Sequence, residues 1–145
     1  MPSSLNKIYV HAIWSTKHRE SLINVGAEKE IFEFMVNEFK ENGCQCLIIN
    51  GTPDHVHCLF KLNLNLALAT VIKNIKGSTS HFINQNGVIP EKFAWQKGYG
   101  AFSVSISNLD RVYQYIHNQK KHHKIHSLED EMLELEKFQD GFPND

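Results

Sequence analysis

A chain of 145 residues, 41% hydrophobic and with a net charge of −1, predicts one globular domain over residues 1–145, its last part, from about 127, an acidic tail. The sequence holds no apolar run of about 18 residues and no secretory start, which argues for a soluble cytoplasmic protein with no membrane partner. Three cysteines exclude a disulfide framework, and a net charge near zero does not advertise a nucleic-acid binder, although it can hide a local basic patch.

In chain order, Leu5 to Trp14 reads as a first strand, with Ile8, Val10 and Ala12 alternating with Tyr9, His11 and Ile13. Ser15 to Arg19 follows as a polar, basic loop. Ala27 to Asn42 predicts a helix with Ile31, Phe34, Met35 and Phe39 at helical spacing, widened by Phe32 and Val36, and Gly43 ends it. Cys44 to Ile49 is a second strand. Cys44-Gln45-Cys46 has ligand spacing for zinc but no second pair, so its thiols read as reduced core groups.

Gly51 and Pro53 break the second strand, and the residues from Asp54 alternate again. His55, His57 and Leu59 fall on one side, and Val56, Cys58 and Phe60 on the other. The short connection makes these two strands antiparallel neighbours. Asn65 to Asn84 predicts a second helix with a stripe of Leu68, Val71, Ile72, Ile75 and Phe82. Asn86, Gly87 and Pro90 mark a loop, and Phe93 to Ile106 is strand-like with an interruption at Gly98-Tyr99-Gly100. Ser107 to Asp110 has the pattern of a capping box, and a third helix runs from there to about His122. Glu129 to Glu136 is acidic and reads as a short helix or a solvated tail. The order strand, helix, strand, strand, helix, strand, helix predicts an α+β fold: a ferredoxin-like βαββαβ antiparallel sheet with helices on one face. The third helix is the spare element that covers the open face, where His55 and His57 sit.

Two histidines two apart on a strand can bind one ion together, although a half-exposed strand also accommodates such a pair. Tyr115 and Gln119 lie four apart and share a face of the third helix. Two imidazoles and the Gln119 carbonyl would give a metal three ligands and leave positions open for substrate oxygens. Tyr115 would then supply a nucleophile, or pack at the seam between helix and sheet. Tyr113, four residues before His117, is a rival.

Taken together, these residues resemble the HUH single-tyrosine transposases of small bacterial insertion sequences. His55-Val56-His57 after Pro53-Asp54 matches the His-hydrophobic-His motif, and Tyr115-Ile116 with Gln119 matches the nucleophile helix. Trp14 to Arg19, Trp95 to Tyr99 and the spacing of elements agree as well, so the resemblance covers nearly the whole chain. It implies Tyr115 as nucleophile and His55, His57 and Gln119 as ligands of Mg²⁺ or Mn²⁺. It implies cleavage and transfer of single-stranded DNA with hairpins, through a 5′-phosphotyrosine. A host-retained relative that acts on palindromic chromosomal repeats, or a binding module without cleavage, would keep the same fold.

Lys73, Lys76, Lys97, Lys120, Lys121 and Lys124 are candidate phosphate contacts. Asp54 is a candidate acceptor behind one histidine. The turn at Ser107-Asn108 leaves little slack for the third helix to reach its own histidines. With the resemblance, this implies a homodimer with shared active sites, Tyr115 of one chain serving the histidines of the other.

Overall fold

The computed structural model describes residues 5–121 and 128–137. Four antiparallel strands form one sheet in the order β2-β3-β1-β4: β1 Tyr9–Ser15, β2 Gln45–Thr52, β3 His55–Lys61 and β4 Gly100–Val104. Helices α1 Val25–Glu41 and α2 Leu68–Asn86 lie between them in the ferredoxin-like order. Helices α3 Leu109–His117 and α4 Leu128–Lys137 follow. The fold is therefore the expected α+β arrangement, with an added C-terminal helix carrying Tyr115.

Alternation along the central strands builds two different faces. Val10, Ala12 and Trp14 of β1 join Val56, Cys58 and Phe60 of β3 in the main core, against Ile31, Met35 and Phe39 of α1 and Val71, Ile72 and Ile75 of α2. Most of the expected stripe residues are buried, but Val36 is exposed, Phe34, Leu68 and Phe82 are only half-buried, and the end of the α2 stripe is Thr79 and Ile83, which the periodicity did not pick out. Asn24 caps α1 by accepting from the Ala27 amide, and Gly43 and Gly87 end α1 and α2 with positive φ, which glycine adopts at little cost. On the opposite face, Leu59, Val104, Val112 and Ile116 cluster under α3, and Ile13, Leu128 and Leu135 under α4. From His55 to Phe60, β3 is buried on both faces.

Three expected elements differ. The strand predicted from Phe93 to Ile106 is paired as a strand only over Gly100–Val104. The backbone of Phe93 bonds to the Asn84 side chain, and Lys17 and Gln96 exchange bonds with Ala94 and Ser15, so that stretch satisfies its polar groups outside the sheet. The capping box does not form: Ser107 lies in a short 3₁₀ turn, its hydroxyl near that of Ser105, and Asn108 takes the N-cap position without a side-chain bond. Helix α3 ends at His117 and helical backbone resumes only at residues 119–121, because Asn118 leaves the helical ladder as C-cap. The expectations for His122, His123, Lys124 and His126 fall outside the described residues.

The hairpin that carries the histidines depends on Gly51. It pairs with Val56, and a Cβ there would come within 2.2 Å of the His55 carbonyl oxygen and 2.9 Å of the Val56 Cα. Both atoms are backbone and cannot step aside without shifting β3. Gly51→Ala should therefore cost about 2 kcal/mol or more, read as a lower urea midpoint with an unchanged slope. An unchanged midpoint would show that the strands separate there at no cost.

Candidate active site

The β2–β3 hairpin presents His55 and His57 toward α3 and α4, both fully buried. Their Nε2 atoms converge: Oε2 of Glu131 lies 3.4 Å from that of His55 and 3.3 Å from that of His57. Their Nδ1 atoms point away, each held from behind. Nδ1 of His55 lies 2.7 Å from Oδ1 of Asp54 and 2.8 Å from the Thr52 hydroxyl. Asp54 thus stands where the sequence suggested, behind a histidine. Nδ1 of His57 lies 2.9 Å from Nε2 of His11, a buried residue of β1.

Glu131 is the residue that the sequence reading missed. It belongs to α4, where Leu128, Glu131, Met132 and Leu135 share one stripe at helical spacing. A ten-residue helix is marginal on its own, so docking has to come from this stripe. Leu128 and Leu135 pack with Met132 against Ile13 and Phe102, at about 1.5–3 kcal/mol for each fully buried apolar side chain. A carboxylate inside that stripe, 1% exposed, would cost several kcal/mol if unpaired. Burial pushes its pKa upward, but bonds and charge from His55 and His57 outweigh this and hold it below the ordinary carboxylate range. For His55, burial lowers the pKa, and bonds to Asp54 and Glu131 more than reverse it. Arg19 also reaches α4, pairing with Glu129 and lying 3.6 Å from Asp54. His18 and Arg19 both hold positive φ, a strained backbone that aims Arg19 at these two carboxylates.

Helix α3 lies over its own sheet. The Tyr115 ring is 5.9 Å from His57 and 6.3 Å from His11, centroid to centroid. Two bonds fix this docking: the Asn50 carboxamide on β2 donates to the carbonyls of Ile116 and His117, both at 3.0 Å. Lys120 ties the next turn down, reaching Glu28, Asn50 and the Gly51 carbonyl. The short turn at Ile106–Asn108 thus leaves enough slack, contrary to expectation, for α3 to fold back over the histidines of its own chain. Tyr113 projects differently and is exposed. Burial raises the pKa of Tyr115 and the Glu131 carboxylate raises it further, while the Gln119 carboxamide pulls it down. Gln119 is fully buried, and apart from this approach to Tyr115 its amide atoms, like Oε1 of Glu131, complete no hydrogen bond of good geometry among the described residues.

These orphaned groups bear on a metal. His55, His57 and Glu131 form a cluster whose donor atoms lie within 4.8 Å of one another, a set that suits a divalent cation. An orphaned buried polar atom costs about 1–3 kcal/mol, which an ion within reach would offset. The cysteines join no such cluster among the described residues: all three thiols are free, and burial raises their pKa values, that of Cys46 to about 12.

The lysines divide. Lys73 and Lys97 are exposed and line, with Tyr99, a groove of about 290 Å³ between α2 and the approach to β4. Lys76 borders the same groove, but its ammonium donates to the carbonyls of Gln96 and Gly98 and so braces that loop. Lys121 is exposed, and Lys120 is held as described. Among the described residues, no helix is long and apolar enough to cross a membrane.

The profile of the family described as "Transposase IS200 like" matches residues 4–119, which include His55, His57, Tyr115 and Gln119 and stop short of α4. The ISDra2 transposase TnpA of Deinococcus radiodurans is 23% identical over 114 residues, 75% of this chain and 81% of that protein. A Deinococcus radiodurans R1 crystal structure, solved as a candidate transposase, superposes with a TM-score of 0.63 at 22% identity, covering 82% of this chain and 95% of the other. The REP-associated tyrosine transposase, solved bound to a REP hairpin, superposes with a TM-score of 0.62 at 13% identity, covering 85% and 72%. The two superpositions show the same fold.

The charges make the stability of the metal-free chain depend on pH. The raised His55 pKa stabilises fully below its ordinary 6.5, and the effect is lost as pH rises through the folded value. The depressed Glu131 pKa stabilises above its ordinary 4.5. Burial and the His57 charge hold the His11 pKa well below its ordinary 6.5, which removes stability as pH falls below 6.5, so calorimetry of the chelator-treated protein should show stability greatest near pH 6.5 and falling toward pH 9. Glu131→Gln should flatten the alkaline fall; an equally steep fall in that variant would remove the pair as its cause.

Proposed function

The chain belongs to the IS200-like family of DNA transposases, and from that premise we propose that it cleaves and rejoins single-stranded DNA through Tyr115. The observation that carries the reading is the position of the Tyr115 ring over His57, beside the convergent Nε2 atoms of His55 and His57. We assign a divalent metal to His55, His57 and Glu131, with the Gln119 carboxamide as a further donor. When bound, that ion would neutralise charge on the scissile phosphate and hold it for in-line attack. Imidazole donors favour Mn²⁺ over Mg²⁺.

The protein's own groups do the rest. The Tyr115 oxygen forms a bond to phosphorus as the bond from phosphorus to the 3′-oxygen breaks. The phenol proton is passed, in net, to that 3′-oxygen, leaving a 5′-phosphotyrosine and a free 3′-hydroxyl. Rejoining runs the same step backwards with another 3′-hydroxyl, so neither water nor a nucleotide cofactor is consumed. A free phenol has a pKa near 10, so about one in a thousand is ionised at pH 7, and burial makes Tyr115 worse than that. The phenolate therefore has to be stabilised as it forms, and a cation held by His55, His57 and Glu131 would supply the positive charge for this. The Glu131 oxygen now stands between the two imidazoles, so an incoming phosphate oxygen has to share or take that place. A hairpin substrate is carried over from the REP hairpin held by the similar tyrosine transposase. Lys73, Lys97 and Lys121 are the exposed lysines we assign to its phosphates.

Incubating the protein with labelled hairpin DNA and Mn²⁺ should give an adduct that survives denaturation. Tyr115→Phe should abolish it with folding intact, and His57→Ala should abolish it and weaken Mn²⁺ binding by at least about tenfold in calorimetry. An adduct retained in Tyr115→Phe but lost in Tyr113→Phe would overturn the nucleophile.

We also assign the complete site to one chain. Mixing Tyr115→Phe with His57→Ala under conditions of subunit exchange should then recover no adduct. Recovery, with label on the His57→Ala chain, would instead establish a homodimer with shared sites.

A further inference from the structure

Both imidazoles of the cluster turn Nε2 toward Glu131, and each is held from behind at Nδ1, but by different partners. His55 has a carboxylate and a hydroxyl. His57 has His11, contributed by the middle strand β1, with which it shares a sheet face. His11 faces Leu59 in the register and Ile13 faces His57, so the two histidines are diagonal neighbours. Their rings lie 5.1 Å apart at 31°, and the contact between Nε2 of His11 and Nδ1 of His57 is 2.9 Å. His11 is 1% exposed and lies outside the sequence motif that marks the site. We infer that His11 is a positioning residue: it accepts the Nδ1 hydrogen of His57, and so fixes the ring orientation and tautomer that leave the His57 Nε2 lone pair facing the cation position. This rests on the reading of His57 as a metal ligand.

The chemistry requires such a partner. A neutral imidazole carries one hydrogen, so an Nε2 lone pair for an ion demands hydrogen on Nδ1. That hydrogen is buried and needs an acceptor, or the ring loses both its bond and its orientation. An imidazole suits this position better than a carboxylate. Glu131 already places one negative charge within 3.3 Å of His57, and a second buried carboxylate would have no cation of its own. A neutral ring accepts without adding charge. It also packs, with Phe102 at 6.2 Å and Tyr115 at 6.3 Å between ring centroids, so the same side chain supports the floor beneath the tyrosine.

The test compares Mn²⁺ affinity by titration calorimetry in the full chain, with unfolding midpoints of the metal-free variants as the check on folding. His11→Phe keeps a flat ring and removes the acceptor; affinity should fall about 10- to 100-fold. His11→Gln replaces the ring with an amide whose oxygen reaches about as far as Nε2, and should stay within about threefold of wild type. Packing alone predicts the reverse order, with the phenyl ring tolerated and the amide harmful. Should His11→Phe fail to fold, His11→Asn takes its place: its amide is polar but about one bond too short, so it should lose affinity where the Gln variant does not. Equal affinity in wild type and His11→Phe, or equal loss in all variants, overturns the positioning role and leaves the metal reading standing. No Mn²⁺ binding by wild type overturns both.

Discussion

The structure turns on one buried charge: the Glu131 carboxylate, held between the Nε2 atoms of His55 and His57 in a setting with almost no water. Nothing apolar can compensate a buried carboxylate, so α4 can lie on the sheet only where cationic hydrogen or a metal ion is supplied. The two imidazoles meet that need only if they point the same way. That requires β3 to be a regular strand, Gly51 to let β2 approach it, and partners behind each Nδ1.

The sheet reconciles this chemistry with an ordinary core by using its two faces differently. Val56, Cys58 and Phe60 contribute to the packing against α1 and α2, while their neighbours on the strand face α3 and α4. Every residue of β3 up to Phe60 is consequently buried, and the histidines take a stiffness that a surface strand would not give them. Asn50, opposite His57 on β2, extends that stiffness to α3 by holding its last carbonyls. The tyrosine is therefore placed by hydrogen bonds to the same hairpin that carries the histidines, which keeps their mutual distance independent of the longer loops.

Placement has a consequence for reactivity. The surroundings that hold Tyr115 make its ionisation harder, through burial first and the Glu131 charge second. A tyrosine so placed ionises less readily than a free phenol, and positive charge beside it would oppose that effect.

By itself the sequence determined what local periodicity and short spacing can carry. Alternation along β1 and β3 set which residues face the helices, the stripes of α1 and α2 set their buried sides, and His55-Val56-His57 with Tyr115 and Gln119 carried the family. It was less informative where backbone groups found partners outside the regular elements, as at Phe93, or where a cap had several candidates, as at Ser107. Only the tertiary structure decided the rest. Glu131 reads as one more charge in an acidic tail until packing turns its helix face inward, although a carboxylate inside the stripe of Leu128, Met132 and Leu135 was the signal that could have found it. His11 reads as a strand residue, because its partner lies 46 positions away, and Glu131 lies 74 from His57. Lys76 and Lys120 read as free cations until nearby carbonyls and Glu28 engage them. Contacts at such separations leave no period in the chain; they exist only once the sheet order β2-β3-β1-β4 brings distant segments onto one face.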